Sequence, residues 1–64
     1  MGKSKFIVAE KKNQSGKVVP GKVLSENSYR QAEFARHDLE KLARNHALRP
    51  DQVGVFCNGE FVRT

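Results

Sequence analysis

From Ser28 to Leu48 the chain contains neither glycine nor proline, while all five glycines and both prolines lie to either side. Glycine and proline are the residues that most readily end a helix, and Ala, Leu, Glu, Lys and Arg fill the gap between them. Within it Ala32, Ala35, Leu39, Leu42, Ala43 and His46 recur at three- and four-residue spacing. That period puts them on one stripe of a helix, facing a core. Ser28 and Gln31 have the spacing of a capping box, and Arg49-Pro50-Asp51 stops the pattern. The spacing predicts a helix over 29–47.

The flanks read as strands. Phe6-Ile7-Val8-Ala9 is a short apolar run, Asn13-Gln14-Ser15-Gly16 a turn cluster, and Val18-Val19 with Val23-Leu24 a second strand, together a hairpin over 5–25. Proline cannot donate to a strand ladder, so Pro20-Gly21 predicts a bulge or an edge position. On the other side Asn58-Gly59 is the preferred pair for a type I′ turn. It folds 52–63 into a second hairpin pairing Cys57 with Glu60, Phe56 with Phe61 and Val55 with Val62. The fold class expected is α+β in the order β-β-α-β-β: one amphipathic helix on a small, mainly antiparallel sheet of three to four strands. At 64 residues this is one small domain over 1–64, with marginal stability of its own.

Charge is distributed unevenly over this layout. Residues 1–25 carry six lysines against one acid, Glu10, a balance of +5, whereas residues 26–64 carry six cations against six acids. Such asymmetry suits a polyanion or an acidic protein surface as partner for the first hairpin. Met1-Gly2 resembles a myristoylation start, but Phe6 stands where Ser or Thr is required. Gly2-Lys3-Ser4 resembles the end of a phosphate-binding loop without its upstream glycine or strand. A single cysteine, Cys57, and the lack of a long apolar run point to a reducing cytoplasm and to no membrane.

The residues do not assemble a catalytic set. His37 and His46 lie nine residues apart, about 900° of rotation, and so point in opposite directions on a helix. One cysteine and two separated histidines do not close a zinc site, and nothing places a base beside Cys57. A packed or half-exposed strand residue is the ordinary role for such a cysteine. His46 reads as a packed residue at the core's edge. The expectation is a non-enzymatic protein without cofactor, a monomer or weak dimer.

Two surfaces invite a partner. Arg30, Phe34, His37, Lys41 and Arg44 are spaced 4, 3, 4 and 3, which keeps them within about 80° on the helix side opposite the core. An aromatic within a cationic row suits base stacking with phosphate contacts, or an anchor in an acidic protein groove. The plainer alternative has Phe34 under a loop and the charges merely solvated. The second surface is the sheet. If Val53 and Val55 face the helix, Phe56 and Phe61 line an open face with Arg63 and Lys5 or Lys22, a platform for unpaired bases. If the phenylalanines face inward they join Leu39 and Leu42 in the core, the arrangement favoured by the area aromatics bury. The Lys/Arg-Gly-Phe/Tyr-Gly/Ala-Phe-Val motif of the RNA-recognition family is absent.

The function these features favour is nucleic-acid binding, to DNA or RNA. Lys5, Lys11, Lys12, Lys17 and Lys22 would track phosphates, and the row from Arg30 to Arg44 would add contacts. The alternative is an inhibitor or adaptor docking the basic hairpin on an acidic enzyme surface. In layout, with Val19-Pro20 in the second strand and an alanine-rich helix, the chain is similar to small phage-encoded regulators of host enzymes. That likeness extends to no motif and implies the second function by analogy of fold.

Overall fold

A computed structural model describes residues 5–64, so the Met1-Gly2 and Gly2-Lys3-Ser4 readings and Lys3 lie outside the described residues. Strands β1 (Phe6–Gln14) and β2 (Lys17–Val23) precede helix α1 (Ala32–Asn45). A single 3-10 turn (Pro50–Gln52) then leads into β3 (Val53–Cys57) and β4 (Glu60–Arg63). The sheet has four strands in the order β2-β1-β3-β4, and every neighbouring pair is antiparallel. This is the α+β, β-β-α-β-β arrangement read from the sequence.

Both hairpin turns have positive φ at their two central residues: 54° and 81° at Ser15 and Gly16, 54° and 83° at Asn58 and Gly59. That is the type I′ pattern, whose twist matches that of the strands it joins. Pro20 sits on edge strand β2 opposite Lys11, beside a bulge where Gly21 and Lys22 together face Glu10. Bulge and edge therefore occur together. In the second hairpin Phe56 and Phe61, and Cys57 and Glu60, pair as expected, but Val55 faces Arg63 rather than Val62 because the register slips between Val55 and Phe56.

The helix is shorter than the expected 29–47 at both ends. Tyr29 exchanges two backbone hydrogen bonds with Phe6, its N–H donating at 2.8 Å and its carbonyl accepting at 2.9 Å. Those bonds hold residue 29 extended, so the Ser28–Gln31 capping box does not form, and Gln31 itself occupies the N-cap without a side-chain bond. The helix ends before Pro50 is reached. Ala47 turns left-handed at φ 58°, and the N–H groups of Ala47 and Leu48 donate to the carbonyls of Arg44 and Ala43, a Schellman closure with alanine in place of the usual glycine.

Ala35, Leu39 and Ala43 of α1 are fully buried against Val8, Leu24, Val53 and Val55, with Ala32 and Leu42 partly covered at the margin. His46, expected at the core's edge, is exposed because it lies past the helix's last turn. The valines face the helix. Phe56, on the opposite side of β3 by alternation, is nevertheless fully buried. So neither expected arrangement holds: Phe56 is covered without joining Leu39 and Leu42, while Phe61 beside it stays 38% exposed. Phe56 pairs with Ile7 across β1 and meets the Phe61 ring edge-on at 5.6 Å and 64°. The first hairpin bends at its bulge and folds back over this face until β2 touches β4, although two strands lie between them in the sheet. The molecule thus has two small apolar layers, one under the helix and one under its own hairpin.

Candidate binding surfaces

Alternation along the strands sorts the lysines of the first hairpin onto different faces. Beyond Glu10, β1 pairs only with β2, so residues 11–20 form a two-stranded arm. Lys12 lies opposite Val19 and Gln14 opposite Lys17, and residues that face each other across a ladder share a side. Lys22 shares the side of Leu24, two residues on. Lys12 and Lys17 on the arm, and Lys22 at its base, therefore share the hairpin's outer face, and all three are exposed. Gly21 makes room there: a Cβ at that position would come within 2.7 Å of the Lys12 side-chain stem.

Lys11 points the other way. Its ammonium sits 5.8 Å from the centroid of Phe61 and donates to Thr64 Oγ1 at 3.1 Å. It ties the arm to β4, with cation–π and hydrogen-bond partners inside the molecule. Lys5, exposed, sits just before β1, at the end of the strand away from the arm.

On the helix Phe34, His37, Lys41 and Arg44 are all exposed, Phe34 by 53%, so it is not tucked under a loop. Arg30 is exposed too but precedes the helix, which removes it from the helical row. This surface is mixed in sign. Glu33 and Glu40 are exposed on the same helix, Arg36 meets Glu40 at 3.5 Å, and His37 Nδ1 lies 3.4 Å from Asp38 Oδ1.

Beside these surfaces, the described residues form two clefts of about 390 Å³ each. In the first, bounded by Leu24, Glu26, Asn27 and the helix, the Tyr29 hydroxyl donates to Asp38 Oδ2 at 2.9 Å. Burial, then that hydrogen bond and the neighbouring charge, push the Tyr29 hydroxyl up to about 12. The same bond, helped by His37, holds Asp38 below the usual carboxylate range. The second cleft lies between the arm and β4, lined by Lys17, Val18, Val19, Gly59, Glu60 and Phe61. Val18, Val19 and Glu60 had no place among the sequence candidates. The bulge signal at Pro20-Gly21 could have pointed to them, since a bulge bends the strand that carries it.

Among the described residues no group of three or more His, Cys, Asp or Glu could hold a metal ion, and no helix is long and apolar enough to cross a membrane. No family model, curated protein or solved structure matches this chain.

Proposed function

We propose that the chain is a non-enzymatic nucleic-acid-binding protein whose contact surface is the outer face of the first hairpin. The observation that carries this reading is the sorting of Lys12, Lys17 and Lys22 onto one exposed face of the first hairpin, Lys12 and Lys17 on the arm that projects past β3 and Lys22 at its base. Three ammonium groups on a two-stranded ribbon can neutralise successive phosphates, displacing condensed counterions and giving affinity without sequence readout. Exposed Phe34, Lys41 and Arg44 on the helix supply a weaker auxiliary surface, since Glu33 and Glu40 interrupt its charge. Half-buried Cys57 at the end of β3 suits a reducing, cytoplasmic compartment. The protein acts as a monomer or weak dimer.

The adaptor reading draws on the same charge and on Phe34, an exposed aromatic anchor. Binding to labelled single- and double-stranded oligonucleotides over a salt series separates the two. A nucleic-acid contact through three lysines gives a log–log salt slope of about −2 to −3. No detectable binding to either strand form at low salt would leave the adaptor reading standing.

A further inference from the structure

We infer that the groove between the arm and β4 receives an unpaired nucleobase of a strand whose phosphates lie on the lysine face, an inference that rests on the nucleic-acid reading above. The groove has the parts a stacking site needs. Phe61 is 38% exposed on one wall, and Val18, 37% exposed, stands on the other. The volume of about 390 Å³ falls in the range of small-ligand pockets.

The Phe61 ring is fixed before any ligand arrives. Phe56 holds it edge-on, and the Lys11 ammonium sits over it. The bare backbone of Gly54 lies against it so closely that a Cβ there would come 2.7 Å from its Cε1. A ring already held in place loses little freedom when a base stacks on it. Every base offers a π face, so such a platform tolerates sequence while excluding paired bases.

Lys17 joins this groove to the phosphate surface. It lines the groove at the tip of the arm and shares the outer face with Lys12. A strand tracking the lysines is thereby led over the arm's tip with its next base beside Phe61. This continuity of positive charge with an aromatic wall favours a base over an extended peptide.

The test uses the wild-type protein with an oligodeoxycytidylate and an abasic strand of equal length, which present the same phosphates with and without bases. The abasic strand should bind roughly 5- to 150-fold more weakly, the loss expected for one stacked base. Phe61→Leu, shown by its melting curve to be folded, should bring the cytidylate affinity down towards the abasic value. Equal wild-type affinity for the two strands would overturn the groove assignment while leaving the lysine face intact, and would turn the groove over to a peptide partner. Should Lys12→Gln/Lys22→Gln change neither strand's affinity nor its salt slope, the lysine face as contact surface would fall, and the groove inference with it.

Discussion

The two hairpins turn through nearly the same backbone, with matching positive φ values at Ser15-Gly16 and Asn58-Gly59, yet they do different work. The second is scaffold. Its strand β3 is buried on both faces, Val53 and Val55 under the helix and Phe56 under Phe61. The first is half scaffold and half arm: Val8 and Ala9 are fully buried in the sheet, and past the bulge the chain turns polar and basic. The charge asymmetry of the sequence follows this division. A strand covered on both sides has no room for lysine, because burying an unpaired ammonium is prohibitively costly. An arm that runs on beyond β3 can carry several.

Several substitutions would break or sharpen that contrast. The largest loss belongs to Leu39→Ala, which empties the space where the helix meets Val8, Val53 and Val55. It should cost about 2–5 kcal/mol and unfold both hairpins together; a melting curve near wild type would show that the helix does not hold the sheet. Next comes Gly54→Ala. Its Cβ would meet Phe61 Cε1 at 2.7 Å and the Arg63 carbonyl at 3.3 Å, so we expect about 1–3 kcal/mol from forced repacking, read by chemical denaturation.

The turn glycines compare the hairpins directly. At both Gly16 and Gly59 a Cβ would stand in open space, so Gly16→Val and Gly59→Val test backbone conformation. Each should lose roughly 1–2 kcal/mol to left-handed strain. Gly59→Val should expose Phe56 and lower the melting temperature, whereas Gly16→Val should mainly weaken binding. Equal binding by Gly16→Val and wild type would detach the arm's shape from its function.

The smallest effect is the tie between the loop after β2 and the helix. Tyr29→Phe removes the hydrogen bond to Asp38, a net loss of about 0.5–1.5 kcal/mol. Its pH signature has two sides. Asp38 is held low, so its contribution is present above the unfolded carboxyl pKa and is lost as pH falls through the folded value. Tyr29 is raised from 10.0 to about 12, so its contribution is present below pH 10.0 and lost between there and about 12. The chain has one tyrosine, which makes an ultraviolet titration of the phenol a direct readout; a midpoint near 10 in the folded protein would contradict the tie.

The features legible in the sequence were those that single residues enforce. Asn58-Gly59 accepts positive φ at low cost, Pro20 cannot donate to an inner ladder, and the alanine–leucine spacing marks one helix face. What escaped depends on distant partners. Nothing near Ser28 shows that Phe6 will claim the backbone of Tyr29 and delay the helix. The side on which Lys11 and Lys12 emerge was fixed by pairing with β2 and β3, and a bulge shifts that count. Phe56 was expected either under the helix or in the open because the arm's fold-back, which gives it a third place, is a long-range contact. The candidate site was legible as a charged segment, and the sheet register resolved it into faces.

The most direct test of this account is the salt dependence of oligonucleotide binding in two variants, Lys12→Gln/Lys17→Gln/Lys22→Gln on the arm and at its base, and Lys41→Gln/Arg44→Gln on the helix. The account predicts that the arm variant loses about 2–3 units of log–log slope together with most of its affinity, while the helix variant loses less than one unit. An arm variant that binds with the wild-type slope, or a helix variant that loses more slope than the arm variant, would contradict it.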